Sequence, residues 1–316
     1  MSNKLQGIED YFLSPNLSQS FLKKFIKDQP RSLLRQKEQK LYYEEKKHFI
    51  QGSIIDFLCT LSDEDINELY CIDTQLEKPS PAIMSIIHEI KDEGLQFNEE
   101  SILLIRDRRS YQPKWKEETV IKNILTEKNI EYFDYLVKCG DKQIVSQEEW
   151  DLSVKCAHSL INGEYTSKYF SDPNMQYQVA IYRRNMKGLI DMLYLNHEDK
   201  TFRVIDIKST AEYLENFDVF RFRYDFQLHF YSDLVQMEYP DYKALNPIIL
   251  AVSKKEPGYA EPFEFTDETL RIGKEGGYVE GKWYTGWEQC LKNYMYWEEK
   301  QNIYNKVLLR NGVNYV

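Results

Sequence analysis

Two aspartates stand in neighbouring apolar segments of the stretch GLIDMLYLNHEDKTFRVIDIKST, residues 188–210. Asp191 lies in the first segment and Asp206 in the second, with a polar turn between them. Two apolar segments around a polar turn are typical of a β-hairpin. A turn of two or four residues centred on Glu198 and Asp199 would place the two aspartates directly opposite each other.

Two facing carboxylates predict a site for a divalent cation. Like charges directly opposite each other are destabilising, and burying them is costly unless they are paired or bind a cation. Oxygen ligands suit Mg²⁺ or Mn²⁺. Lys208, on the same strand face as Asp206, could orient a water molecule or stabilise charge on a phosphate. The alternative is a pair of aspartates on the solvent side of an amphipathic hairpin, although apolar residues occupy both faces.

The elements that must hold these residues have the pattern of an α/β core. A helix with a Ser-x-x-Glu capping box, SQEEWDLSVKCAHSLING, precedes strand-like segments at 176–184, 188–196 and 201–209. A helix over 218–238, a strand at 246–253 and a final helix follow. This order predicts a central sheet flanked by helices.

We predict two regions: a mainly helical N-terminal region over 1–145 and the α/β core over 146–316. Within the first region, the segment from Lys23 to Lys47 carries nine Lys or Arg residues and four Asp or Glu residues. This segment is either a solvated helix face or a surface that contacts phosphates.

A second basic cluster interleaves cations with aromatic residues in IRDRRSYQPKWKEETV. Such a pattern suits a strand of nucleic acid, because cations contact phosphates and bases stack on rings. An exposed loop of ordinary composition is the alternative. The candidate DNA-binding residues are Arg106, Arg108, Arg109, Lys114 and Trp115.

The amino-acid composition argues for a folded, globular protein and against a disordered or membrane-spanning one. The chain of 316 residues is 42% hydrophobic and 14% aromatic, which is enough for a sizeable core and argues against disorder. Its net charge of −10 means that any surface for nucleic acid must be local. The sequence has no apolar run of membrane-spanning length and no signal-peptide pattern, so we expect a cytoplasmic protein without a membrane partner. Five scattered cysteines predict reduced, mostly buried thiols.

The hairpin residues resemble the signature of the PD-(D/E)XK nuclease superfamily. The match consists of Asp191 followed by Asp206, Ile207 and Lys208, the D-x-K of the motif. D-x-K alone is a common string. Here it ends an apolar strand, and Gly188 stands three residues before the first aspartate, as in the G-x-x-D version of the motif.

Further strings are similar to the RecB-like and RecE-like exonuclease branch. Gln227 and Tyr231 in QLHFY form its Q-x-x-x-Y pair on one helix face, unless they are ordinary helix residues. GSIID resembles the G-x-x-x-H helix motif, with Asp56 in place of histidine, as a further ligand or a helix residue. Gln176 and Gln178 stand where the family tends to have a glutamate.

The resemblance implies a restriction-endonuclease-like fold, with a central mixed sheet flanked by helices, and Mg²⁺-dependent hydrolysis of DNA, in which Mn²⁺ can substitute. In this interpretation Lys208 positions the attacking water, and the pair in the helix supports the site. The implied catalytic residues are Asp191, Asp206, Lys208, Gln227 and Tyr231. The implied metal ligands are Asp191, Asp206, the Ile207 carbonyl and Asp56.

The resemblance further implies a phage-type exonuclease for DNA recombination. Enzymes of this type resect linear double-stranded ends 5′ to 3′, work with a single-strand annealing protein and often form homo-oligomeric rings. A phage-encoded enzyme would act in the host cytoplasm. Two alternatives remain: a non-catalytic nucleic-acid-binding or inhibitory protein that retains the fold, and a single-strand nuclease or endonuclease of the same superfamily.

Overall fold

The computed structural model describes residues 2–27, 30, 33–34, 47–73 and 76–311, with the backbone alone at 47–49 and 301–311. The chain divides into two compact units, one of residues 1–65 with 152–316 and one of residues 66–151. The predicted boundary between 145 and 146 lies close to the second junction. The assignment of 1–145 and 146–316 as separate regions stays a prediction.

Both units contain helices and strands. The helices are α1 Asn3–Leu13, α2 Gln19–Lys24, α3 Lys47–Thr60, α4 Asp63–Leu69, α5 Pro81–Asp92, α6 Glu99–Arg109, α7 Glu117–Ile124, α8 Glu127–Cys139, α9 Gln147–Asn162, α10 Ser167–Phe170, α11 Tyr224–Glu238, α12 Asp267–Glu275 and α13 Trp287–Asn311. The strands are β1 Leu17–Ser18, β2 Tyr70–Asp73, β3 Gln143–Ser146, β4 Met175–Arg183, β5 Met186–Asn196, β6 Thr201–Thr210, β7 Lys243–Ala244, β8 Ile248–Ser253, β9 Ala260–Glu264, β10 Gly277–Val279 and β11 Lys282–Tyr284.

A mixed sheet forms the centre of the first unit. Its order is β1-β5-β6-β8-β9, and β4 also pairs with β5, while β7 also pairs with β6. β5 is antiparallel to β4 and β6, whereas β6 and β8 are parallel. The fold class predicted from the sequence, a central mixed sheet flanked by helices, is confirmed.

Helices cover both faces of this sheet with apolar side chains. On one face, Phe226 and Leu234 of α11 pack with Trp287 of α13 and with the core of the sheet. On the other face, Ile55 of α3 and Leu160 of α9 pack against β6 and β8. β6 and β8 therefore lie between two layers, and all six residues of β8, IILAVS, are buried.

Side-chain hydrogen bonds to backbone amides determine where two of the helices begin. The capping box predicted before α9 is confirmed, because Ser146 N donates to Glu149 Oε2 and Glu149 N donates to Ser146 Oγ. The predicted helix over 218–238 begins later, at Tyr224. Asp218 Oδ1 accepts from two backbone amides, and Arg223 has a φ of 59°, so residues 218–223 form a turn instead.

The second unit is mainly helical. Its helices enclose two apolar clusters, and β2 pairs with β3 in parallel. A disulfide joins Cys71 of β2 to Cys139 at the end of α8, so the expectation that all five thiols are reduced was wrong. Cys59, Cys156 and Cys290 are free and buried, as expected.

Membrane-spanning helices are not found in the described ranges, since no helix there combines sufficient length with sufficient apolar character.

Gly188 allows α11 to approach β5 closely. A Cβ at this position would lie 2.9 Å from Leu234 Cδ1 and 3.0 Å from Tyr231 Cδ1. We therefore expect Gly188→Ala to destabilise the protein by about 1–3 kcal/mol through overpacking. Thermal unfolding measures this loss, with Gly258→Ala as the control, because a Cβ at Gly258 meets no atom within 4 Å. Equal melting temperatures for the two variants would contradict the close approach.

Candidate active site

The β5–β6 hairpin has the register predicted from its turn. Asn196 pairs with Thr201 across a four-residue turn, and the ladder continues to Met192 and Ile205. Asn196 Oδ1 accepts from the backbone amides of Glu198 and Asp199, which holds the turn. The next position of this register places Asp191 opposite Asp206.

Asp206 is the buried centre of the site. Its side chain is 2% exposed and forms an ion pair with Lys208 Nζ through Oδ2. Gln227 Nε2 of α11 donates to Asp206 Oδ1 at 2.9 Å. In the sequence, Gln227 is the one amide in an apolar stripe of the predicted helix that also holds Tyr224, Tyr231 and Leu234. A buried amide needs a polar partner, which predicts either the Asp206–Lys208 end of β6 or a substrate phosphate. The contact with Asp206 is confirmed.

Asp191 takes part in the backbone ladder through its side chain. Its Oδ2 accepts a hydrogen bond from Ile207 N at 2.9 Å. The carboxylate thus satisfies a backbone donor of β6 just beyond the last paired residues of the hairpin. Asp191 and Asp206 are thereby held on adjacent strands by bonds that do not depend on a ligand.

Asp56 of α3 joins the two aspartates from a distant part of the sequence. Gln178 Nε2 donates to both Asp56 carboxylate oxygens, at 3.1 and 3.2 Å, and to Thr60 Oγ1 at 3.0 Å. Of the two glutamines in β4, Gln178 is buried at the site and Gln176 is exposed. Gln178 is therefore the glutamine of β4 that lies at the site, where it donates to Asp56.

The remaining two predicted residues lie beside this cluster. Ile207 O accepts from Lys208 Nζ at 3.1 Å, so this carbonyl faces the charged group. Tyr231 is buried against Gly188 and the core under α11. Packing of Tyr231 fixes α11, and with it Gln227, against the sheet.

The electrostatics of the cluster favour a cation. Burial raises the pKa of Asp56 to about 7; the Asp206 charge adds to the increase, and Lys208 and Gln178 oppose it. Burial also raises the pKa of Asp191 well above its ordinary value, with the charges of Asp56 and Asp206 adding to the effect. Carboxyl groups that hold protons for these reasons release them when a cation compensates their charge.

Lys23 of α2 was not identified as a site residue from the sequence. Burial and the charge of Lys208 lower its pKa to about 7, while Asp206 opposes this decrease. Its ammonium group is therefore electrostatically coupled to Lys208 and Asp206. The sequence placed Lys23 only at the start of a basic segment, most of which lies outside the described residues.

A divalent metal fits the donor set without a complete cage of protein ligands. Among the described residues no group of three or more His, Cys, Asp or Glu side chains forms a metal site. Asp191 and Asp206 are hard oxygen donors, and Gln178 Oε1 is buried and without a hydrogen-bond partner in the described structure. Mg²⁺ commonly binds through one or two carboxylates and retains several waters, which matches this set.

The raised pKa of Asp56 predicts a pH-dependent stability in the metal-free protein. A carboxyl group with a raised folded-state pKa contributes stability that is full below its unfolded pKa, about 3.9, and is lost as the pH rises through about 7. In chelator, the melting temperature of the parent should therefore fall more than that of Asp56→Asn between pH 5 and about 8. Parallel pH profiles for the two proteins would show that Asp56 titrates normally.

Gln227→Ala should impair cleavage without unfolding the protein. Loss of a partner that orients a metal-binding carboxylate costs about 10- to 100-fold in activity. Alanine keeps good helix propensity, so the fold should survive. Gln236→Ala is a matched control on the same helix, because Gln236 Nε2 bonds only to backbone carbonyls, including that of Tyr239 at 3.0 Å. Equal activities in these variants would make Gln227 a structural residue.

The predicted DNA-binding segment lies in the second unit. Its arginines are paired within that unit: Arg108 with Glu89 and Glu93, and Arg109 with Glu89. Arg106 is buried and donates to Trp115 O at 2.9 Å. Lys114 and Trp115 are exposed. The role of these five residues in DNA binding stays a prediction, and part of their charge is already neutralised.

Comparison with known proteins relates this geometry to a family. A model of the PD-(D/E)XK nuclease superfamily matches residues 118–282, which include Asp191, Asp206, Lys208 and Gln227. No curated protein matches the chain. A crystal structure of a "Putative exonuclease" from Eubacterium rectale is similar at 15% identity and a TM-score of 0.32, over 73% of this chain and 80% of that chain.

Proposed function

Since the chain belongs to the PD-(D/E)XK nuclease superfamily, whose model matches more than half of it, we propose that it is a Mg²⁺-dependent DNA exonuclease. Nucleases of this superfamily generally use divalent metal ions. The observation that carries the proposal is the convergence on Asp206 of Lys208 from the same strand and Gln227 from α11. A buried carboxylate held between a cation and an amide donor is suited to an active site.

Each residue has a distinct role in this proposal. Asp191 and Asp206 hold the cation, with Asp56 and the Ile207 carbonyl as further oxygen donors. A bound Mg²⁺ or Mn²⁺ would supply a Lewis acid at the scissile phosphate and lower the pKa of a bound water. Lys208 positions the attacking water and stabilises negative charge that develops on the phosphate.

The helix α11 completes the site. Gln227 orients Asp206 through its hydrogen bond. Tyr231 keeps α11 packed on β5 at Gly188. Neither residue needs to contact the reacting phosphate, so both act by positioning the carboxylates.

The finer assignment is a phage-type enzyme of the RecE-like branch. We propose resection of linear double-stranded ends, 5′ to 3′, in a recombination pathway in the host cytoplasm. The partners would be a single-strand annealing protein and further copies of the chain in a ring. The Q-x-x-x-Y pair at Gln227 and Tyr231 supports this assignment. Sizing of the purified protein would test the ring.

A second candidate function is non-catalytic binding of nucleic acid. Gln176 and Gln178 stand where the family tends to have a glutamate, and the buried one, Gln178, donates to Asp56 and carries no charge. A site with fewer anionic ligands binds metal more weakly. Intact DNA binding together with no binding of Mg²⁺ or Mn²⁺ in calorimetry would favour this candidate.

Incubation with labelled DNA tests the proposed activity. Linear duplexes labelled at either the 5′ or the 3′ end, and closed circular duplex, are each incubated with Mg²⁺ and with chelator. We expect degradation of the linear DNA in Mg²⁺ alone, early release of the 5′ label and no cleavage of the circle. Cleavage of the circle would indicate an endonuclease, and cleavage in chelator would exclude the metal-dependent mechanism.

A further inference from the structure

A basic cleft of about 380 Å³ opens beside the candidate active site. It is bounded by the end of α2, the turn before α11 and the strand β11. Its basic side chains are Lys23, Lys24, Lys27, Arg221, Arg223 and Lys282. Arg223 is paired with Asp225, and the pKa of Lys23 is lowered to about 7, so the other four carry most of the positive charge. No acidic side chain is among its described lining residues, although the whole chain has a net charge of −10. This cleft is therefore a local concentration of positive charge.

Exposed aromatic rings stand among these cations. Phe222 is 54% exposed and Trp283 is 47% exposed. The Trp283 ring packs edge-on against Tyr278, with ring centroids 5.0 Å apart, which holds it at the surface. Large apolar rings left in water beside cations are typical of a binding surface. Rings and cations in one cleft match the stacking and phosphate contacts that a single nucleic-acid strand makes.

The cleft is built onto the helix that carries Gln227. Arg223 donates to the Asp225 carboxylate at 3.1 and 3.0 Å and to Thr285 O at 2.6 Å. These bonds tie the residue after β11 to the start of α11. Lys23 Nζ donates to Phe222 O at 3.4 Å, which brings α2 to the same turn. Hydrogen bonds thus connect the end of α2, the turn before α11 and the residue after β11.

One end of the cleft meets the catalytic strand. Tyr224 directly follows Arg223, and Lys208 Nζ lies 5.6 Å from the centroid of the Tyr224 ring. Lys23, a lining residue, is electrostatically coupled to Lys208 and Asp206. A strand that occupies the cleft would therefore lie beside Arg223, next to Tyr224, and the Tyr224 ring in turn lies beside Lys208.

We propose that this cleft binds a single strand of nucleic acid, with the cations on its phosphates and with Trp283 and Phe222 stacked on its bases, and directs it to Asp206 and Lys208. Stacking on both rings requires bases that are not paired in a duplex. The inference rests on the proposed nuclease function, since it assigns the path of the substrate into that site.

Binding of fluorescein-labelled oligothymidylate, followed by anisotropy in chelator, tests the cleft without cleavage. Trp283→Ala should weaken binding about tenfold, and Trp283→Phe should recover most of the loss, because phenylalanine keeps a stacking face. Lys27→Ala with Lys282→Ala removes two exposed cations. This double variant should weaken binding and reduce the slope of log K against log salt by about 1.4, at about 0.7 for each phosphate that is no longer neutralised.

Two control variants test whether the loss of affinity is specific to the cleft. Tyr259→Ala removes a ring that is 45% exposed and lies outside the cleft. Lys243→Ala with Lys255→Ala removes two exposed lysines that are not among the cleft residues. The cleft proposal requires affinity losses in the cleft variants that exceed those in both controls. Unchanged affinity and salt slope in Trp283→Ala and in the lysine double variant, at parental melting temperature, would overturn it, as would equal losses in the controls.

Cleavage by the same protein preparation separates this inference from the function it rests on. A parent that binds oligothymidylate through the cleft but leaves both labelled linear duplex and labelled single-stranded DNA intact in Mg²⁺ would refute the nuclease proposal and retain the binding site. A parent that degrades linear DNA, with cleft variants that bind and cleave normally, would refute the cleft and retain the nuclease.

Discussion

Asp206→Asn is expected to reduce Mg²⁺-dependent DNA cleavage by at least about 10²- to 10³-fold, the range for removal of one preorganised electrostatic group. The substitution removes the negative charge of a side chain that is 2% exposed and paired with Lys208. Asparagine keeps the shape of aspartate and an oxygen that can accept from Gln227. The fold should therefore persist, and cleavage of end-labelled linear DNA measures the loss.

Asp233→Asn is the matched control for this variant. Asp233 is an acid of α11 that pairs with His229 and Lys274 and makes no contact with the candidate site. The control should cleave DNA at the parental rate. Parental cleavage by Asp206→Asn, with its melting temperature unchanged, would end the interpretation of this carboxylate as a catalytic group.

Lys208→Ala should reduce turnover about 10²- to 10³-fold while DNA affinity changes little. Against the lowering effect of burial, the charges of Asp206 and Asp191 hold the pKa of Lys208 above its ordinary value, so the group stays cationic in the working pH range. Because the basic cleft beside the site holds six basic side chains other than Lys208, the loss of Lys208 should change phosphate affinity little. Among the described residues, Lys208 is the cation that forms an ion pair with Asp206, so no other side chain is placed to replace it in turnover.

Separate measurements of affinity and turnover decide the role of Lys208. Lys255→Ala removes an exposed lysine that pairs with Glu212 and should leave both quantities unchanged. A loss that falls equally on affinity and turnover in Lys208→Ala would make this residue a phosphate-binding group instead of a catalytic one.

Local patterns were sufficient to predict the hairpin and its partner on α11. The register of β5 with β6 follows from the position of the turn between Asn196 and Thr201, because side-chain alternation then fixes which residues face each other. The contact of Gln227 with Asp206 follows from the apolar stripe of the helix, since a lone amide in such a stripe must find a polar partner.

Contacts between residues that are far apart in the sequence could not be predicted from these local patterns. Gln178 and Asp56 are 122 residues apart in sequence, and their hydrogen bonds depend on how α3 packs on the sheet. The coupling of Lys23 to Lys208 depends in the same way on the packing of α2. The Cys71–Cys139 disulfide spans 68 residues, and cysteine spacing alone does not identify such a pair.

The first residue of α11 was predicted incorrectly for a different reason. Helical periodicity extends back to residue 218, but the Asp218 side chain accepts the amides of Phe220 and Arg221, and Arg223 adopts a left-handed conformation. Side-chain bonds to nearby amides compete with helix formation. The same turn that ends the periodic pattern supplies Phe222 and Arg223 to the basic cleft, so the error in the helix boundary concealed a candidate binding surface.

Binding of Mn²⁺ to the metal-free protein, measured by calorimetry above pH 7, tests the central claim most directly. At that pH the carboxyl of Asp56, whose pKa is raised to about 7, is largely ionised. A metal site on Asp191 and Asp206 predicts binding by the parent and by Asp233→Asn, and its loss in Asp191→Asn and Asp206→Asn. Equal Mn²⁺ affinity in all four proteins, or no binding by the parent, would contradict a metal-dependent active site at these residues.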